Sequence, residues 1–319
     1  MATPTVTTST LTEQVQKAFE QVSYFALRSQ PLFEMVADVR STAQTHNGSS
    51  VQFTFIDEIS QATTALTENA DVTAVAITDD AVEVPLAEYG NAVITSAKVR
   101  GTSFLNVDAD AANIVGYNMA NSLDKIVSDV ANGSTVTDQI MYGNDATSRA
   151  TVGTNDPYSA ALGRHAVAKL RTASAPGWEN GNYMAIIHPD VSYDLRGDAA
   201  VTDVIQYQLY QQGEPIRVGS IGTFNGITYI ENPRAGLLAD AGASNVDVYQ
   251  TLIVGRQALA KAFSRAPGFG PDPSIVIGPI TDTLRRFNPI GWYHFCGYAR
   301  FREACMVRVE TCSTIGDNA

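Results

Sequence analysis

The sequence predicts an α+β protein whose parts are strung along one long helix, and three stretches carry that prediction. Residues 106–133 hold a helical apolar period longer than any other in the chain. Residues 51–96 alternate like strands at both ends, with too few large apolar residues between them to form a core. Residues 155–265 mix short helical and strand patterns, and strand patterns follow from there to the end.

The long helix sets the scale. In NVDADAANIVGYNMANSLDKIVSDVANG, Val115, Met119, Leu123, Ile126, Val127 and Val130 recur at steps of three and four, which places them on one stripe. Asp108 and Asp110 stand at the front, where the positive end of a helix favours acids. Asn132-Gly133 closes it, a pair that readily takes left-handed φ. The span is about 35–40 Å. By itself such a stretch fits a core helix of a large domain; it also fits a spine that carries peripheral parts and fixes their spacing.

Residues 1–10 are mostly Thr and Ser and, alone in solution, are expected to stay unfolded. A helical patch is expected from Leu11 to Arg28, stopping before Pro31 because the residue preceding proline avoids the α region. LFEMVADVR then leads to the turn-like HNGSS at His46 to Ser50. VQFTF and VEVPLAEYGNAVIT read as two strands joined by a long loop, an extended hairpin. This segment carries Asp57, Glu58, Glu68, Asp71, Asp79, Asp80, Glu83 and Glu88 and no Lys or Arg. It is either a solvated acidic insertion or an arm ordered on a partner's surface.

Beyond the long helix and a loop, Pro157 to Thr172 reads as a helix, YMAIIHP as a buried strand, and PDVSYDLRGD and AVTDVIQYQLYQQ as helices. RVGSIGTF and ITYIEN form a hairpin through the type I′ signal Asn225-Gly226. PRAGLLADAGASN is a loop, VDVYQTLIVG a strand, and RQALAKAF a further helical stretch. The turn-rich RAPGFGPDP marks a boundary. Strands are expected at Ser274 to Gly278, Gly291 to Arg302 and Cys305 to Thr311, in a tail rich in arginine: Arg285, Arg286, Arg300, Arg302 and Arg308.

Charged residues make up only 17% of the 319 and the net charge is -12. The low charge content suggests that much of the surface is covered by something else. The acidity makes direct nucleic-acid binding a poor fit, since affinity for phosphate backbones comes from Lys and Arg. Cys296, Cys305 and Cys312 have neither zinc nor disulfide-framework spacing and read as small apolar residues in a reducing cytosol. No apolar run is long enough for a membrane span, and the N-terminus lacks the pattern of a signal peptide. No catalytic or phosphate-binding motif occurs. His188 in IIHPD stands at a strand-to-helix junction, where active-site residues often sit, but His-Pro-Asp is also an ordinary helix start.

Four stretches, GNYMAIIHPDVSYDLRGD, VGSIGTFNGITYIENP, LIVGRQALAKA and DTLRRFNPIGWYHFCGYARFREACMVRVE, together resemble the tailed-bacteriophage major capsid proteins, the Johnson-fold shell family of caudovirus type. The resemblance rests on Tyr183, His188, Pro189 and Asp190, then Gly219, Ile221, Gly222 and Gly226, then Gly255, Arg256 and Ala258. It continues through Asp282, Leu284, Arg286, Phe287, Ile290, Gly291 and Trp292. Residues 1–150 match in layout only. The resemblance implies an α+β phage capsid shell fold: an N-terminal arm (1–47), an extended E-loop (48–97), a peripheral domain (98–152 and 267–319) with spine helix 106–132, and an axial domain (153–266).

It further implies a structural, non-enzymatic protein that self-assembles as hexamers and pentamers into an icosahedral shell enclosing double-stranded DNA. That shell is a virion capsid built in the host bacterial cytoplasm. The partners implied are other copies of the chain, a separate scaffolding protein (the chain has no room for an internal one), a portal protein and, on the outer surface, a decoration protein. No cofactor, metal, membrane or specific nucleic-acid contact is implied. Segregation of sign suggests that the E-loop acids Asp57, Glu58, Asp79 and Asp80 meet Arg285, Arg286, Arg300 and Arg302 of a neighbouring subunit. Two other readings stand beside this one: an encapsulin-type bacterial compartment, and a cytosolic α/β hydrolase-like enzyme using His188 and Asp190. The spine's apolar stripe is expected to pack on the terminal strands from Ile290 to Val309.

Overall fold

The computed structural model describes residues 32–39, 49–66, 68–69, 71–103, 106–133, 139–178, 181–198, 222–263, 272–277, 282–284 and 286–316. The helices expected at Leu11 to Arg28 and in AVTDVIQYQLYQQ, the RAPGFG boundary and Arg285 lie outside these residues. Mixed helix and sheet are present, as the α+β reading requires.

The chain runs through a 3-10 turn (Phe33–Val36), β1 (Ala37–Val39), β2 (Ser50–Ile56), β3 (Asp79–Pro85), β4 (Ala87–Ser96), α1 (Ala97–Thr102) and α2 (Val107–Asn132). It continues through β5 (Ile140–Tyr142), α3 (Ala160–Thr172), β6 (Tyr183–Ile187), α4 (Pro189–Gly197), β7 (Thr223–Phe224), β8 (Ile227–Glu231) and β9 (Gly236–Leu238). It ends with β10 (Val248–Val254), β11 (Leu259–Phe263), β12 (Ser274–Ile277), β13 (Phe287–Arg300) and β14 (Met306–Thr311).

Helix α2 is the predicted spine. Its 26 residues span about 39 Å. The side chain of Asn106 caps its start by accepting from the Ala109 amide. Its buried face holds Ala111, Val115, Leu123, Val127 and Ala131, with Met119, Ile126 and Val130 half-buried at the margins. Two polar residues, Asp124 and Ser128, share that buried face. The end differs from expectation: Gly133 has φ -72, not a left-handed value. Glycine is required there for space, since a Cβ would lie 2.9 Å from the Asp129 carbonyl oxygen that the Gly133 amide approaches.

The helix lies across β13 and β4 and touches the turn Phe33–Val36. Trp292 donates its indole N–H to Asn118 Oδ1 at 2.9 Å, fastening the middle of the helix to the sheet. The apolar stripe shares its buried cluster with Ile290 and Trp292 of β13, the first of the terminal strands expected to receive it. In this sheet β13 is central. It pairs antiparallel with β4 along one edge, from Phe287↔Ser96 to Cys296↔Ala87. Along the other edge it pairs with β12 and then β11, and β1 adds parallel to β11.

A second sheet has the order β5-β14-β10-β6-β8-β7, with β9 also on β10. Every residue of β10 and β14 is buried, which suits strands covered on both faces. The Asn225-Gly226 turn joins β7 to β8 with φ 52 and 80, the type I′ geometry the pair predicted.

Three expectations need correcting. RQALAKAF is not helical: Leu259–Phe263 is β11, because a short apolar run with no helix-length partner is decided by the strands beside it. VEVPLAEYGNAVIT is not one strand: it breaks at Leu86, β3 staying with β2 and β4 crossing to β13. The PRAGLLAD loop contains β9. The two sheets also exchange strands across positions 266–267, β11 joining β13 while β14 joins β10.

Candidate assembly interface

The β2–β3 ribbon forms a separate two-stranded sheet in full register from Ser50↔Pro85 to Ile56↔Asp79. Its root is anchored. Val51 and Val84 are buried with Ala260, Ala262 and Phe301, and Phe53 and Phe55 stack edge-on against Phe301. Past the root none of the described residues covers it. Ile56, Ile59, Leu66, Val72, Val75 and Ile77 are 59–77% exposed. Exposed apolar side chains along a segment with no core of its own mark a surface made for contact.

The acids predicted for this interface sit on that uncovered part. Asp57 donates its amide to the Thr78 carbonyl at 3.0 Å and accepts the Thr78 hydroxyl at 3.2 Å, closing the ribbon. Glu58, Asp79 and Asp80 are exposed, and Asp80 Oδ1 takes the Ala81 amide at 2.8 Å. The arginines are spread more widely. Arg286 is exposed, pairs with Asp282 at 3.1 Å and lies over the Phe287 ring at 5.4 Å. Arg300 is largely buried and gives Nη1 to Glu303 Oε1 at 2.7 Å. Arg302 lies 5.4 Å over Phe55, on its own chain's ribbon. Segregation of sign along the sequence could not reveal these internal partners.

Two polar nodes escaped the sequence reading. In one, Glu310, fully buried in β14, receives Arg149 through Nε at 3.0 Å and Nη2 at 2.6 Å, and Gln250 at 3.1 Å. Arg308 Nε lies 3.0 Å from the same carboxylate. In the other, Asp124 of α2 meets Arg234 and two backbone amides. The available signal was position: Asp124 lies between Leu123 and Val127 on the apolar stripe, where a charge needs partners.

His188 and Asp190, the residues of the enzymatic reading, form a helix start. His188 Nδ1 accepts the Asp190 amide at 3.3 Å and lies 3.2 Å from Asp190 Oδ2, which takes the Tyr249 hydroxyl at 2.8 Å. Burial lowers the His188 pKa against the opposing pull of Asp190. The arrangement caps α4 and ties it to β10.

A family model for phage capsid protein matches residues 8–315, and the chain belongs to that family. No curated protein matches it in sequence. Among solved structures it resembles the capsid of Ralstonia phage GP4, with a TM-score of 0.77 at 15% identity over 96% of this chain and 97% of that one. It resembles the Cyanophage Pam1 capsid asymmetric unit equally, at 0.77 and 14% identity over 99% and 100%. The head of Helicobacter pylori bacteriophage KHP40 follows at 0.72 and 10%, over 98% of both chains. The protein is a structural capsid protein that forms a viral shell by self-assembly. These comparisons do not favour the compartment and hydrolase readings.

Proposed function

We propose that many copies of this chain close into an icosahedral shell of hexamers and pentamers around double-stranded DNA, each subunit laying its β2–β3 ribbon across a neighbour. In this reading the ribbon is the E-loop, α2 with the β13 sheet the peripheral domain, and the β10 sheet the axial domain. The observation that carries it is the ribbon itself: a rooted, two-stranded projection with seven acids in residues 50–85 and six exposed large apolar side chains that the described residues of its own subunit leave open. An isolated two-stranded ribbon is marginal in water, so a covering surface completes it. The net charge of -12 suits an inner wall that does not hold DNA. A separate scaffolding protein, a portal protein and an outer decoration protein complete the proposed partners, with assembly in the host bacterial cytoplasm and no catalytic role.

Charge reversal tests the acidic contact. Arg285→Glu with Arg286→Glu should reduce particle yield at low salt while leaving the subunit's melting temperature nearly unchanged. Each exposed pair contributes only about 0–1 kcal/mol, but a shell repeats it many times. An unchanged yield at low salt would rule these arginines out as the acids' partners.

A further inference from the structure

Asp124 sits where three parts of the fold meet, and its carboxylate is 1% exposed. Oδ1 accepts the amides of Leu32 and Phe33, at 2.7 and 2.5 Å, holding the turn Phe33–Val36 against α2. Oδ2 faces Arg234 Nη2 at 3.4 Å, and the same nitrogen donates to the Asn121 carbonyl at 3.0 Å. Each flank is fixed to a different sheet. On one side Glu34 meets Lys261 and accepts the Tyr298 hydroxyl at 3.1 Å, and β1 adds to β11. On the other side Asn232 accepts the Arg234 amide at 2.9 Å through its side chain, while its own amide donates to Ile187 of β6. Residue 236 then enters β9 on β10.

We propose that Asp124 is a latch that couples the docking of the 32–36 turn to the position of the 232–235 loop. A carboxylate taken out of water needs both kinds of partner. The two amides give it direction, and the guanidinium balances its charge. Move Arg234 away and the carboxylate is drawn toward water, loosening the amides. Pull the turn away and Arg234 loses the anion that holds its loop. Such coupling is reciprocal. A load carried into the turn from the N-terminal side therefore reaches the β10 sheet through one side chain. The latch lies within a single subunit and is independent of the ribbon contact.

Hydrogen exchange of the full chain tests it, read at the amides of Leu32 and Phe33 with the β4–β13 ladder as the control. Asp124→Asn should speed exchange at both amides. Arg234→Gln, more than a hundred residues away in sequence, should speed it by roughly tenfold or more while the ladder is unchanged. Arg234→Lys, which keeps the charge, should restore most of the protection and serves as the comparison if the glutamine variant does not fold. The coupling is refuted if Asp124→Asn exposes the two amides while the Arg234 variants leave them as in the wild type. Asp124 would then be a local anchor only. Equal protection in all variants would refute the latch altogether.

Discussion

His294 lies in the middle of β13, 2% exposed, on the face that carries Trp292 and Cys296 toward α2. Among the described residues its Nε2 finds no hydrogen-bond partner. Burial, with Lys261 nearby, pushes its pKa down to about 4, against the weaker pull of Glu34 and Asp272. In the unfolded chain the imidazole gains its proton near the ordinary 6.5, whereas the folded chain resists until about 4. Stability should therefore fall as pH drops through that window, by on the order of 3 kcal/mol, and this term should be level below it. Urea unfolding checks this: His294→Gln should lose less stability than the wild type between neutral pH and about pH 4.5. Glu310 adds to acid sensitivity with the same sign. Burial would raise its pKa, but Arg149, Gln250 and Arg308 outweigh that and hold it below the usual carboxylate range. Its contribution is present at neutral pH and lost as the pH falls through its folded value. Glu310→Ala, which removes the buried anion shared by Arg149, Arg308 and Gln250, should cost about 3 kcal/mol in the same assay.

At the scale of elements, the ribbon's reach depends on how its root is seated. Pro85 ends β3 directly over Gly297 of β13, and a Cβ at that glycine would stand 2.1 Å from the Pro85 carbonyl oxygen. Gly297→Ala must push the root off the sheet and should lower stability by about 1–3 kcal/mol, read as a lower melting temperature. An unchanged melting temperature would show that the root can shift freely. The elements also show what the residues could and could not disclose. The spine was legible because its apolar period runs unbroken through many turns. The β7–β8 hairpin was legible because Asn-Gly fixes both the turn type and the register. The strand β11 was not, because LAKAF has no length or period to separate strand from helix and only its neighbours decide. The split between β3 and β4 was hidden for a similar reason: alternation continues almost evenly through Leu86 while the partner changes. Asp124 and Glu310 were invisible as nodes because Arg234 and Arg149 are more than a hundred positions distant from them.

At the scale of the whole molecule, one helix and one strand organise the subunit. Helix α2 and β13 hold the first sheet, and β14, the next strand after β13, crosses into the second sheet beside β10. That exchange of strands makes the two sheets interdependent, with Asp124 and the Glu310 cluster as polar ties between distant segments. Among the described residues, the ribbon carries six of the exposed large apolar side chains. In the proposed shell, a neighbouring subunit covers this apolar and acidic projection. The most direct test is a cryo-electron microscopy reconstruction of the particles this chain forms. The expected result is a closed icosahedral shell in which density for residues 57–78 lies on the surface of an adjacent subunit, with Ile59, Leu66 and Val75 covered. A shell in which that segment folds back on its own subunit or stands free in solvent would contradict it.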